Sequence, residues 1–578
     1  SMQSPKSLLS RRIESALRTL LPADAELPFP LIVPTQNPDF GDFQCNAAMG
    51  LARVLRKAPR QIAQDIVAAL DVAGLCAEPE IAGPGFINLR INPDVTVSCL
   101  QEMSQDQRLG LPTVAEPQSI VVDFSGPNLA KEMHVGHLRS TIIGDSICRF
   151  LEFEGHAVSR MNHVGDWGTQ FGMLLHYLRT TQPEAIEQPD SFAIDDLETF
   201  YREAKLAFDA SDEFKTAARK VVVELQAGDP DILAIWRVFC EESLRHCHAI
   251  YKRLDIKIED RGESAYNDAL KGIVDSLQEA EIAEISQGAV CVFIEGYETP
   301  MLVQKSDGGY IYATTDLAAI RHRIQVQEAD QVIYVTDARQ HEHFDKAFQT
   351  AQRMGWAPAD ALRHVGFGMM LGADGKPFKT RTGGTVKLKD LLQEAEEQAF
   401  TVTRELGSDH LTEEDLPAVS RTIGIASVKY ADLLHAVGTD YRFSWEKMLS
   451  KDGNTAVYLL MTYARTRSLG TKGGIDVQNL VGTVPFLLET PQEQKLAKKL
   501  LATLDVWPQV VGELAPNVLL QHLYELSQDF SGVWNACPVW KDGVDPAVRD
   551  SRLAIAGLLG NVIAWGLNMI GVEPLERM

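Results

Sequence analysis

The sequence predicts an α/β protein built around a parallel β-sheet, with a small α+β module before it and an all-α stretch after it. Three observations carry that prediction. Short β-rich runs, "SIVVDFS", "HAVSRMN" and "QVIYVTD", alternate with segments of helical periodicity, the pattern of strands joined in parallel. The first 110 residues instead crowd short helical and strand-like pieces together. From about residue 390 the helical pattern is nearly continuous to the end.

Taken in order, residues 1–112 form the small domain. Helical periodicity appears near 7–20, 43–57 and 60–73, and "GPGFINLRI" reads as a strand opened by a turn. The sheet domain is placed at 113–390. Within it, a helix runs through Leu138, Ile142, Ile147 and Leu151, and "HAVSRMNHVGDWG" gives a strand and a glycine-punctuated loop. An acidic, mostly helical insertion occupies about 185–285, and strand-like runs return at "GAVCVFIE", "YIYATT" and "QVIYVTD". A helical connector is assigned to 391–449 and a helical domain to 450–578. There are no repeats or low-complexity tracts.

The 578 residues are too many for one core, and a hydrophobic content of 45% is enough to fill several. The eight cysteines (Cys45, Cys76, Cys99, Cys148, Cys240, Cys247, Cys291 and Cys537) are scattered without a C-x-x-C pair. That argues against a zinc site and a disulfide framework, and for a reducing cytoplasm. No run of eighteen apolar residues and no signal-peptide core occur, so no membrane partner is expected. The net charge of −24 is awkward for a nucleic-acid partner, although phosphates respond to local patches. "LARVLRKAPR" is one such patch: Arg53, Arg56, Lys57 and Arg60 share helical spacing with no acid among them. Alone, it also fits an ordinary solvated helix face.

The stretch "PNLAKEMHVGHLRS" places His134 and His137 three residues apart at a strand–turn–helix junction. Metal binding is disfavoured because H-E-x-x-H is absent and no third ligand is identifiable. Phosphate binding fits better. A helix start offers free N–H groups and a positive dipole end, and ligands of open parallel sheets sit at the carboxyl ends of strands. Gly136 leaves room for a base or ribose. The remaining alternative is a pair of histidines that merely cap a helix.

HVGH in this setting resembles the HIGH signature of class I aminoacyl-tRNA synthetases. The longer strings "FSGPNLAKEMHVGHLRSTIIGD" and "NHVGDWGTQFG" are similar to arginyl-tRNA synthetases in particular. The resemblance resumes at "GKPFKTRTGGTVKL" and "GNTAVYLLMTYARTRS" and spans roughly 120–578; "FGDFQCN" extends it less sharply into the first 110 residues. It implies a Rossmann-type catalytic domain with helical insertions, a small α+β N-terminal domain that touches tRNA, and an all-α anticodon-binding domain. The implied activity is arginine–tRNA ligation, with ATP and Mg²⁺ and without zinc, through arginyl-adenylate to the 2′-OH of the terminal adenosine. The implied partners are tRNA(Arg), L-arginine and ATP, acting on a cytoplasmic monomer. Rival readings are a HIGH-type synthetase for another amino acid and a non-catalytic tRNA-binding relative.

The resemblance also implies roles. His134, Gly136, His137 and Lys379 would bind ATP. "FKTRT" replaces the family's KMSKS, with Arg381 where the second lysine is expected and Lys379 two residues earlier. Lys131 would substitute for the missing lysine, so the catalytic group is Lys131, His134, His137, Lys379 and Arg381. Glu263 and Asp316 would face the guanidinium, with Tyr312 beside them; Asn128 and Gln340 would hold the other end of the arginine. Phe40, Phe43, Arg53, Arg56 and Lys57 would meet the tRNA elbow, and Tyr458, Tyr463, Arg465, Arg467 and Trp534 the anticodon loop. His341 and His343 are read as site-rim residues, and Cys240, His246, Cys247 and His248 as a helix interior.

Overall fold

A computed structural model describes residues 2–379, 384–406 and 411–578. The chain divides into two compact units: residues 1–113, 458–566 and 574–578 form one, residues 114–457 and 567–573 the other.

The second unit is built on a five-stranded parallel sheet. Its spatial order is Leu362–Phe367, Gln331–Asp337, Ser119–Asp123, Ala157–Asn162 and Glu259–Asp260. Ser119–Asp123, the first strand of this sheet in chain order, therefore lies in its middle, and the winding reverses between it and Gln331–Asp337. In such a sheet the crevice opens at the carboxyl ends of those two strands. Ile120, Val121 and Val122 are all buried, as expected for a strand covered on both faces. The helix Leu138–Glu154 follows the first strand and is buried almost continuously to Leu151. A Cβ on Gly144 would overlap the Phe124 side chain, so glycine there permits the close helix–sheet approach.

The acidic insertion is helical as expected, with Leu197–Ala210, Asp212–Gln226 and Pro230–Arg253 as its longest elements. Two expectations fail nearby. "YIYATT" is no strand: the helix Tyr312–Arg321 begins there, and Ala313, Leu317, Ala318 and Ile320 bury at helical spacing that the six-residue window does not reveal. "GAVCVFIE" does supply a strand, Ala289–Val292, but in a separate antiparallel sheet with Ala283–Ser286 and Met301–Gln304.

In the first unit, a four-stranded antiparallel sheet (Ile32–Pro34, Phe43–Cys45, Phe86–Leu89, Glu80–Ala82) packs with the helices Pro5–Leu20 and Pro59–Ala69 around Leu9, Ile13, Leu17, Ile62, Ile66 and Ile87. The helix expected over 43–57 is absent. Phe43–Cys45 pairs in the sheet, and two short helices, Ala47–Gly50 and Ala52–Leu55, stop at Arg56, which adopts a left-handed φ of 53°. Long helices, Pro491–Glu513, Pro516–Ala536 and Pro546–Asn568, supply the rest of the core. The sequence reading separated 1–112 from 450–578. In the folded chain these stretches are tied together, with Ser4 Oγ donating to Asp505 Oδ1 at 2.6 Å and Lys498 Nζ 2.7 Å from Asp42. Among the described residues no helix is long and apolar enough to cross a membrane.

Candidate active site

The strand Ser119–Asp123 delivers the chain to the carboxyl edge of the sheet. Beyond it, the Gly126 N–H donates to Asn162 Oδ1 at 2.8 Å and Asn128 pairs with Gly165, so the loops after two neighbouring strands close side by side. Asn128 is exposed, and its Oδ1 accepts from the Ala130 N–H at 2.9 Å. The chain then makes the short 3-10 turn Val135–His137 and runs directly into the helix Leu138–Glu154.

Each histidine of that turn spends one ring nitrogen on the main chain. His134 Nδ1 accepts from the Gly136 N–H at 3.0 Å, and His137 Nδ1 accepts from the His134 N–H at 3.2 Å, a reciprocal cap. A ring nitrogen that accepts carries no proton, so the proton of each neutral imidazole sits on Nε2. Burial lowers the pKa of both, with the Lys131 charge adding to it at His134, and His137 is pushed down to about 3. The turn therefore combines helix capping with two Nε2–H donors at the positive end of a helix, where a phosphoryl oxygen is the matching acceptor. A Cβ on Gly136 would stand 2.6 Å from His134 Cε1, so this glycine makes room for the ring as well as for a ligand.

A cleft of about 440 Å³ opens beside His134, lined in part by Lys131, Tyr201, Arg202, Lys205 and Lys387. Lys131 is exposed, with its ammonium 4.7 Å from the centre of the Tyr201 ring. The described residues that flank "FKTRT" approach the same place. Lys379, exposed, pairs with Thr385 across the loop; the Val135 N–H donates to Val386 O at 2.9 Å and the Leu388 N–H to Met133 O at 3.0 Å. The loop thus returns directly onto the histidine turn. Its root is held by Lys387, 2.8 Å from Asp196 and 3.5 Å from Glu198. Arg381 lies outside the described residues.

Glu263, Tyr312 and Asp316 come together on the other side of the loop that carries Gly165. The Glu263 N–H donates to Val164 O at 3.1 Å, and Asp166 accepts from the backbone and hydroxyl of Ser264 at 2.9 and 2.6 Å. Burial first, then the charges of Asp316 and Asp166, raise the Glu263 carboxyl to about 8. Burial, Glu263 and Asp316 likewise raise the Tyr312 phenol, although Tyr312 as a whole is 70% exposed. Three acids, Glu263, Asp316 and Asp166, are thus concentrated in one place, and among the described residues no lysine or arginine is ion-paired with any of them. Asp316 itself is bonded to His343, Nε2 to Oδ2 at 2.6 Å, with His163 Nε2 4.0 Å from Oδ1. Gln340 is exposed in the turn after the adjacent strand Gln331–Asp337, so it and Asn128 both stand at strand carboxyl ends.

The sequence reading did not assign Asp166, His163 or Lys387, and gave His343 only a place on the rim. "NHVGDWG" carries a family resemblance, but nothing in the string itself marks its histidine and aspartate for these contacts. Arg139, two residues past the signature, was also missed. Its guanidinium is 2% exposed and donates to Gly368 O at 3.0 Å and Thr439 O at 2.9 Å, with Asp432 Oδ2 at 3.3 Å.

The residues assigned to tRNA are more dispersed. Phe40 is 49% exposed and Arg53, Arg56 and Lys57 are exposed, while Phe43 packs partly against the N-terminal core. Lys57 is paired with Asp65 at 3.1 Å, the acid that the ten-residue basic window did not reach. In the helix Ala456–Ser468, Tyr463 is only 6% exposed, with the Arg467 guanidinium 4.8 Å from its ring centre; Arg467 also donates to Asn561 Oδ1 at 2.7 Å. Those two side chains are engaged within the bundle. Arg465 lies 5.2 Å from the ring of Trp534, which is 41% exposed, and Tyr458 meets Tyr524 edge-on at 5.6 Å.

The central-strand switch point and the histidine turn at its edge are those of a class I aminoacyl-tRNA synthetase. Residues 99–445 match the family described as tRNA synthetases class I (R), catalytic domain; residues 7–91 match the arginyl tRNA synthetase N terminal domain and 459–578 the DALR anticodon binding domain. The chain belongs to the arginyl-tRNA synthetases. It is 47% identical over 587 aligned residues to a protein of Synechococcus elongatus named arginine–tRNA ligase, and 47% identical to the one of Nostoc punctiforme, each covered completely, as is this chain. Among solved structures it resembles the arginyl-tRNA synthetase of Plasmodium falciparum, with a TM-score of 0.88, 28% identity and all of both chains covered. The Thermus thermophilus arginyl-tRNA synthetase, at TM-score 0.81 and 22% identity over 99% of this chain and 100% of that one, shares the fold.

Proposed function

We propose that the chain is an arginine–tRNA ligase that activates L-arginine with ATP and transfers it to the 2′-OH of the terminal adenosine of tRNA(Arg). The observation that carries this reading is the cluster of the acids Glu263, Asp316 and Asp166, with Tyr312 beside it, one loop away from the paired Nε2–H donors of the histidine turn. A guanidinium supplies a permanent cation and offers a planar fork of donors to two carboxylates. A neutral side chain would leave those acids unpaired and is rejected on that ground.

In the first step an arginine carboxylate oxygen attacks the α-phosphorus of ATP, and the bond to the bridging oxygen breaks with its electron pair going to pyrophosphate. The protein's task is positioning and charge stabilisation. His134 and His137 donate to phosphoryl oxygens from Nε2, and Lys131 and Lys379 face the pyrophosphate; the same task is proposed for Arg381, which lies outside the described residues. Magnesium enters with ATP, as part of the substrate. Asn128 and Gln340, at the carboxyl ends of neighbouring strands, hold the arginine backbone groups. In the second step the ribose 2′-OH attacks the carbonyl carbon and AMP leaves.

The tRNA contacts belong to the same proposal. The surface of Phe40, Arg53 and Arg56 suits the elbow, and the Arg465–Trp534 pair suits an unstacked anticodon base. The eight buried cysteines, all free thiols, support a cytoplasmic setting, and a monomer is part of the same proposal. The test is ATP–pyrophosphate exchange across a panel of amino acids, with and without total tRNA. Exchange with arginine alone supports the reading; exchange with another amino acid, or none with arginine in a folded sample, rejects it.

A further inference from the structure

Asp316 sits on the helix Tyr312–Arg321, in a site that already holds Glu263 and Asp166 nearby. Asp316 thus stands beside two other carboxyl groups, and its own helix does not by itself fix the positions of its oxygens. One histidine from outside that helix is hydrogen-bonded to the carboxylate, and a second stands near its other oxygen. His343, in the first turn of the helix His341–Arg353, places Nε2 2.6 Å from Asp316 Oδ2. His163, after the strand Ala157–Asn162, places Nε2 4.0 Å from Oδ1. The carboxylate is an acceptor, so His343 Nε2 carries the proton and donates. The His343 ring is itself steadied edge-on against Phe344, with centroids 5.0 Å apart. The same bond ties the helix bearing Tyr312 and Asp316 to the helix whose N-cap is Gln340, the two elements that would hold opposite ends of one arginine.

We propose that His343 is a positioning and specificity-determining residue for arginine: its Nε2–H holds one oxygen of Asp316 so that the other is presented, in a fixed place, to the guanidinium. The inference rests on the arginine site described above. A planar fork needs its acceptor at a set position, whereas an ammonium tolerates movement, so loss of this bond penalises arginine more than lysine.

The test measures arginine binding to the full-length protein by calorimetry, with lysine as competitor, and KM and kcat in tRNA-supplemented pyrophosphate exchange. The variants are His343→Ala, His343→Gln and Asp316→Asn. The expected result is that His343→Ala weakens arginine binding about tenfold, the size of one charge-assisted hydrogen bond. The KM for ATP stays unchanged, discrimination against lysine falls, and His343→Gln, whose amide reaches a similar point, restores most of the loss. If Asp316→Asn abolishes arginine binding while His343→Ala leaves it intact, the inference falls and the arginine site stands. If His343→Ala raises the KM for arginine and ATP alike and Gln restores neither, the role is structural and the inference is overturned. If Asp316→Asn also binds arginine normally, both the inference and the arginine-site reading fail.

Discussion

Burial, and then the charges of Asp316 and Asp166, push the Glu263 carboxyl up to about 8. A bound guanidinium reverses that balance, so at neutral pH arginine must expel a proton to bind. Affinity for arginine is therefore expected to fall by about tenfold for each pH unit below that value. Calorimetry at pH 7 in two buffers of different ionisation enthalpy should show proton release, and Glu263→Gln should abolish it. In the arginine-free protein the sign is opposite: the raised pKa contributes stability that is full below the ordinary glutamate value and is lost as pH rises through about 8. At the histidine turn, Gly136→Ala drives a methyl against His134, and a displacement of that order is expected to cost about 100-fold in the exchange rate, with arginine binding unchanged. The turn was legible in the sequence because cap, glycine and both histidines are contiguous. Asp166 and Ser264 are 98 residues apart, and Asp316 and His343 lie 27 apart on different helices. Nothing local marks such partners; they become visible only when the sheet brings the loops together.

Between elements, the Arg139 side chain joins the histidine helix to the strand end at Gly368, to Asp432 of the helix Leu416–Leu434, and through it to Tyr441, whose hydroxyl donates to Asp432 Oδ2 at 2.7 Å. Met370–Leu371 pairs with Tyr441–Arg442 just before the chain departs into the Lys379 loop. That loop is thus anchored at its outgoing root through Arg139 and at its returning root by the Val135–Val386 bond. Asp432 is fully buried, so Arg139→Met should leave an uncompensated carboxylate and cost about 3–5 kcal/mol, read from the urea midpoint. The helices of the insertion and of the C-terminal half were readable from periodicity because each spans several turns. "YIYATT" imitates a strand over six positions through its aromatic and β-branched residues, and the helical stripe becomes plain only with Leu317 and Ile320.

At the scale of the molecule, a chain of net charge −24 is assigned an RNA substrate, so its cations must act locally. Substitution of Arg53 and Arg56 together should weaken tRNA binding and flatten its salt dependence while leaving arginine and ATP affinities untouched, a result measurable by filter binding over a salt series. The unit made from residues 1–113 and 458–566 yields a second expectation. Removing residues 1–113 uncovers Asp505 and Lys498 and the surface around them, so limited proteolysis should then cut within Pro491–Glu513 at protease levels that spare the full chain. Composition and periodicity could announce a mixed module at one end and a helical one at the other. They hold no information on the pairing of the two, which rests on contacts across more than four hundred positions, such as Ser4 with Asp505.

That pairing has a consequence for how the protein is made. Synthesis on the ribosome delivers residues 1–113 first and their partner stretch only after the whole 114–457 segment has emerged. The opening module therefore waits, with part of its docking surface bare, while an entire α/β unit is translated behind it. Closure at that separation carries a large loop entropy and is slow by nature. Refolding of the intact chain should accordingly show its catalytic unit regaining structure before the helix Pro491–Glu513 becomes protected, and nascent chains stalled near residue 457 should be the species most in need of a chaperone.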